Sequence, residues 1–214
     1  MNKKSKENHN CEIAIVGVGC YYPGAHSPLE LWENILSRKQ QFREMPDVRL
    51  PNKEYYDADP TTPDKTYQNK AAVIDGYEFN WLDRRIPKKT FESTDIVHWL
   101  ALDTALQALE NSGYKKENLP QEKMGVVLGN TLTGEFTRSN QMLLRWPYVR
   151  KTLRASLKAK GLSHLAAELE GTMEKMYKSV FAPVTEDTLA GGMSSTRAGR
   201  VCNYLDIHGG GYIV

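Results

Sequence analysis

Between Ile96 and Ser112 the chain carries Ile96, Trp99, Leu100, Leu102, Ala105, Leu106, Ala108 and Leu109, so a helix drawn through it is apolar on most sides. Such a helix has no solvent face and must lie between other layers. Thr94 and Asp95 can cap its start, and Gly113 supplies its stop. Two short apolar runs, Glu12-Ile-Ala-Ile-Val-Gly17 and Met124-Gly-Val-Val-Leu128, read as buried parallel strands expected to lie side by side. Together these segments predict an α/β chain with a layered core.

The composition agrees. Of 214 residues, 40% are hydrophobic and 25% charged, which excludes disorder, collagen and coiled coil as the organising principle. With 28 Lys+Arg against 26 Asp+Glu the net charge is +2, giving no long-range reason for nucleic acid or an anionic membrane to collect on the surface. No apolar run approaches the roughly 18 residues that cross a bilayer. Neither nucleic acid nor membrane is therefore expected as a partner. Cys11, Cys20 and Cys202 are odd in number and widely spaced, which fits neither a disulfide framework nor a zinc cage. With no signal-like segment at the polar start, the expectation is a cytoplasmic protein with a disordered tail over residues 1–11 and a body over 12–214.

After the first run comes a glycine-rich turn, Gly17 to Gly24, then Ser27-Pro28-Leu29-Glu30, a capping box with proline at the first helical position. Leu31, Trp32, Ile35 and Leu36 place an apolar stripe on the helix that follows. Residues 42 to 70 read as a polar surface excursion, and Ala71 to Ile74 as a short strand. Residues 136 to 180 read as largely helical with a break or new start at Pro147, and Thr188 to Leu205 as one helix despite Gly191, Gly192 and Gly199. Tyr212-Ile213-Val214 reads as the opening of an apolar strand, so the chain looks cut within a unit.

Several motifs fail on inspection. Gly17 and Gly19 between a strand and a helix invite a dinucleotide reading. The third glycine is displaced to Gly24, Pro23 interrupts the turn, and no acidic residue ends a second strand at the spacing a ribose contact needs. The five histidines are scattered, and His98 reads as a hydrogen-bonded core residue. Cys20 and Cys202 read as packing cysteines, since no nearby cation would clearly hold a thiolate. Arg145, Arg150, Lys151, Arg154, Lys158 and Lys160 face away from Val149, Leu153 and Leu157, making an amphipathic basic helix. That face is either simply solvated or receives an acidic partner.

Taken together, Ile13-Ala-Ile-Val-Gly-Val-Gly-Cys20 with Pro23-Gly24, Leu31-Trp32-Glu33, Ala101 to Leu109, Gly125-Val-Val-Leu-Gly129 and Ala198-Gly-Arg-Val201 before Gly209 resemble the N-terminal half of a β-ketoacyl synthase. The stretches Gly129 to Glu135, Leu144 to Val149, Asp187 to Gly192 and Gly199 to Asn203 look most like the iterative type I polyketide synthases of the enediyne and polyene-forming group. The resemblance implies a thiolase-like layered αβαβα fold, of which this chain supplies roughly the N-terminal half. It also implies a homodimer and a decarboxylative Claisen condensation of acyl and malonyl thioesters held on a carrier protein. No cofactor is expected to bind directly; the carrier's phosphopantetheine arm presents the substrates.

In the family the nucleophilic cysteine ends the strand that Tyr212-Ile213-Val214 opens, so the resemblance implies that no catalytic residue lies within this chain, and alone it is expected to be inactive. Thr131, Leu132 and Thr133 match the loop bordering the acyl pocket, with Leu132 at the apolar gate; many members have glycine where Thr131 and Thr133 stand. Carrier docking is expected at Arg145, Arg150, Lys151 and Arg154. Arg200 matches the family's Gly-Arg pair and is expected to be a structural partner. The alternative is a non-catalytic carrier-docking or scaffold module.

Overall fold

The structure, a computed structural model, describes residues 13–131 and 134–214. Its helices are α1 (Pro28–Leu36), α2 (Asn52–Tyr55), α3 (Lys88–Glu92), α4 (Ile96–Ser112), α5 (Glu135–Leu143), α6 (Trp146–Ala159), α7 (Ala166–Ser179), α8 (Glu186–Gly192) and α9 (Thr196–Leu205). Its strands are β1 (Arg43–Glu44), β2 (Lys70–Ala71), β3 (Val126–Leu128) and β4 (Gly211–Ile213). The chain divides into two compact units, residues 1–77 with 104–117, and residues 78–103 with 118–214.

In the first unit, Ile13 to Cys20 forms no helix or strand among the described residues, and Ile13 and Ile15 are 90% and 86% exposed. This corrects the expectation of a buried strand in this segment; the described strand paired with Val126–Leu128 is Gly211–Ile213. The segment instead follows the second half of α4, where Val18 N donates to Asn111 Oδ1 at 3.0 Å and Cys20 N to Gln107 Oε1 at 2.6 Å. A Cβ at Gly17 or Gly19 would overlap the carbonyl oxygens of Ala108 and Thr104, so these glycines serve close approach to the helix. The cap of α1 forms as expected on one side, Ser27 Oγ accepting from Glu30 N at 3.2 Å. Glu30 closes it one residue early, accepting from His26 N at 2.6 Å. Leu31 is half-buried while Trp32, Ile35 and Leu36 are exposed, so the predicted stripe stays largely uncovered. The polar excursion closes on itself through antiparallel pairing of β1 with β2, which sits one residue earlier than the strand read at Ala71–Ile74.

In the second unit the core lies around α9 and the β3–β4 pair. Ala198, Val201, Cys202 and Leu205 form the buried stripe of α9, which packs against both strands. The strands run parallel, with Val126 opposite Gly211 and Leu128 opposite Ile213, so the expected strand at Tyr212 is present. Phe79, Phe91 and Trp99 stack nearby, with Phe79 and Trp99 centroids 4.8 Å apart. Trp99 comes from α4, whose bounds Ile96–Ser112 match the sequence reading.

Thr188 to Leu205 is two helices, not one. Met193 is extended at φ −78, ψ 130 between α8 and α9. At the end of α8, Gly191 meets the backbone of Ser93 and Thr94 so closely that any Cβ would collide with it, and its carbonyl accepts from Asp95 N at 3.0 Å. Thr196 Oγ1 donates to the carbonyls of Ala190 and Met193, fixing the break. A tertiary contact outweighs the helical pattern here. The helices read between 136 and 180 are α5, α6 and α7, with Pro147 in the first turn of α6, where its missing N–H costs nothing.

Candidate functional site

Parallel strands present their carboxyl ends at one edge, where α/β proteins commonly bind ligands. Here that edge is made by Leu128 and Val214, with Val214 N donating to Leu128 O and Asn130 N donating to Val214 O, both at 2.9 Å. Thr131, the first of the three pocket candidates, follows Asn130 and is exposed. Leu132 and Thr133 lie outside the described residues, as do the tail read over residues 1–11 and Cys11. At Gly134 the chain turns into α5.

Beneath this edge is a buried polar cluster. Asp95 and Arg197 are each 2% exposed. Asp95 Oδ1 accepts from Phe136 N at 2.8 Å, and Arg197 Nη1 donates to Asn130 Oδ1. Burial pushes the Asp95 carboxyl above the usual carboxylate range, against the pull of the Phe136 amide and the Arg197 charge. Burial also lowers the Arg197 guanidinium, opposed by Asp95. Alongside, fully buried His98 accepts from Arg200 Nε at its Nδ1, at 3.3 Å, and Arg200 also donates to Thr94 Oγ1 and lies 4.9 Å over the Trp99 ring. Burial first, then the charges of Arg200 and Arg197, drive His98 down to about 3, so it is neutral at physiological pH.

A cleft of 330 Å³ lies between α5 and the α8–α9 break, with Thr137, Asn140, Leu144, Leu189 and Met193 on its walls. Among the described residues no group of three His, Cys, Asp or Glu side chains is gathered as metal ligands. Both described cysteines are free and buried. Burial, then the charge of Glu30, raises the Cys20 thiol, the opposite of nucleophile activation. Cys202 is packed in α9 with Sγ 3.7 Å from the Gly210 carbonyl oxygen.

The basic helix is α6, and its apolar side is Trp146, Val149, Leu153 and Leu157, turned inward. Arg145, Arg150, Lys151 and Arg154 are all exposed, but they are not equivalent. Arg154 grips Glu170 of α7 through two guanidinium nitrogens, one at 2.7 Å. The Arg150 charge also acts on Glu170 and Glu174. Arg145 lies over the Tyr148 ring at 5.6 Å.

Residues 10–214 match the family described as beta-ketoacyl synthase, N-terminal domain. The chain belongs to this family. Among curated relatives, the polyketide synthase PksL of Bacillus subtilis is 34% identical over 118 residues, 55% of this chain and 3% of PksL. The non-reducing polyketide synthase pkiA of Emericella nidulans is 31% identical over 157 residues, 72% of this chain and 6% of that protein. In fold, the chain is similar to the oxazolomycin ketosynthase domain OzmH KS7 of Streptomyces albus, with a TM-score of 0.64 and 20% identity over 94% of this chain and 28% of that one. This β-ketoacyl synthase chain therefore spans a small part of each relative. Its fold is mixed α/β, mostly helical, and covers the N-terminal half of the thiolase-like ketosynthase fold.

The sequence of this β-ketoacyl synthase chain is enough to find the basic helix and the buried place of His98, and to single out Arg200 as a structural partner. It does not reveal the cluster of Asp95, Asn130 and Arg197. Asp95 reads as a cap for α4, and a helix-start residue is indeed the signal. Its side chain serves α5 instead, a partner 41 positions away.

Proposed function

We propose that this chain is part of the condensing domain of a polyketide synthase. The support is the family match across residues 10–214, joined by the likeness to ketosynthase domains in fold. In the proposed reaction an acyl group passes from a carrier-protein thioester to an enzyme cysteine, releasing the carrier thiol. A malonyl-carrier thioester then loses CO2, and its carbanion attacks the acyl thioester carbonyl, forming the carbon–carbon bond and expelling the enzyme thiolate. No residue of this chain is assigned as that nucleophile, and the chain alone is proposed to be inactive.

On this reading Thr131, Leu132 and Thr133 border the acyl pocket, and the carrier docks on α6 through Arg145, Arg150 and Lys151. Arg154, engaged with Glu170, belongs to the docking face mainly by holding α6 on α7. A homodimer, a cytoplasmic setting and membership of the enediyne and polyene-forming group complete the proposal; among the described residues no helix is long and apolar enough to cross a membrane. The second reading, a non-catalytic carrier-docking module, is favoured by the exposed cations of α6.

The test uses the product of the complete reading frame, incubated with an acyl thioester donor and malonyl-carrier protein. Peptide mass spectrometry is expected to find the acyl group on a cysteine other than Cys11, Cys20 and Cys202, with CO2 released. Carrier binding without adduct or CO2 would leave the docking module as the correct reading.

A further inference from the structure

The carboxylate of Asp95 does not cap the helix that it precedes. It accepts the Phe136 amide at 2.8 Å in the first turn of α5, whose own N-cap, Gly134, has no side chain to offer. A Cβ at Gly134 would overlap that carboxylate, so the bare glycine makes room for a cap delivered from elsewhere in the chain. On the strand side, Asn130 is tied through its amide to the Val214 carbonyl at 2.9 Å and through its side-chain oxygen to Arg197. Arg197 in turn lies near enough for its charge to favour the ionised form of Asp95.

The buried Asp95 and Arg197 and the half-buried Asn130 thus form a row of polar groups from the end of β3 to the start of α5. Desolvating a carboxylate and a guanidinium that share no direct hydrogen bond is unfavourable, so this arrangement is better accounted for by geometry than by stability. We propose that Asp95 and Arg197 are positioning residues of the condensing reaction, holding Thr131 and the first turn of α5 in the register that an acyl donor meets. The inference rests on the reading under Proposed function. It extends to the cleft, one wall of which is α5 through Thr137, Asn140 and Leu144.

The test compares the full-length protein with Asp95→Ala, Asp95→Asn and the double variant Asp95→Ala with Gly134→Ser. Hydrogen exchange at the Phe136 amide and the split of KM and kcat for acyl loading are both read. Asp95→Ala is expected to speed exchange and to raise KM for the acyl donor, each by about tenfold, with kcat changed less. In the double variant the lost carboxylate leaves room for the serine, whose hydroxyl caps α5 locally, and both readouts are expected to recover in large part. Asp95→Asn keeps an oxygen for Phe136 but loses the charge beside Arg197, so exchange is expected to stay slow while KM rises.

A folded Asp95→Ala protein with wild-type exchange and wild-type KM would overturn the inference. If Asp95→Ala does not fold, an unchanged KM in Asp95→Asn overturns it equally. Wild-type protein that neither loads acyl groups nor condenses them would sink the functional reading instead. In that case unchanged exchange in Asp95→Ala also overturns the cap, and accelerated exchange that Gly134→Ser reverses sustains it.

Discussion

His98 is wholly buried beside two arginines, and its imidazole has a pKa of about 3 rather than the ordinary 6.5. Because the folded value lies below the unfolded one, its contribution to stability is complete above pH 6.5 and declines as pH falls toward 3. The His98 ring proton signals should therefore not titrate between about pH 5 and 8 in an NMR series. His98→Gln, which can still accept from Arg200, should lose less thermal stability than the wild type on acidification through that range. The Glu170 carboxyl behaves in the same sense, through a hydrogen bond rather than burial. Its hydrogen bonds from Arg154 hold it below the usual carboxylate range, so the stability it adds is present above the unfolded value and lost as pH falls through the folded one. Melting temperatures of Arg154→Gln and wild type should converge in acid, below the ordinary Glu pKa, and differ above it. Equal melting temperatures at neutral pH would mean that the pair contributes nothing.

Helices illustrate how far local pattern reaches. α4 and α6 were legible because long apolar stripes and terminal signals lie within each segment: Gly113 has φ +77 just past α4, and Pro147 stands in the first turn of α6. The division of α8 from α9 was not legible, because its cause is the backbone of Ser93 and Thr94 pressing on Gly191, about a hundred positions away in sequence. On α6 the sequence offered four docking candidates of equal rank, whereas Glu170 on the neighbouring helix separates Arg154 from the rest. Reversing the charges of Arg150 and Lys151 together should weaken binding of an acidic carrier protein by about tenfold and flatten its salt dependence. Titration calorimetry at two salt concentrations measures both. Binding unaffected by the reversal would remove α6 from the docking surface.

Across the chain, the largest departure from expectation is the uncovered apolar surface of the first unit. Ile13, Ile15, Trp32 and Ile35 are all exposed, so large apolar side chains of this unit stand in water. Expressed as residues 1–214, the protein should aggregate or bind a hydrophobic dye such as ANS, as a loosely packed species does. A soluble monomer with one sharp, cooperative melt in scanning calorimetry would contradict this.

Periodicity, capping residues and ordered short motifs were enough to establish the α/β class, the extent of α4, the helical character of α5 to α7, the strand at Tyr212 and the family. All of these depend on residues close together in sequence or on motif order along it. Which strand pairs with β3, where α8 stops, that the Asp95 carboxylate caps α5, and that Arg154 is held by Glu170 were settled by the folded chain. Each is a contact between distant residues, and local propensity carries no information about a partner it cannot reach.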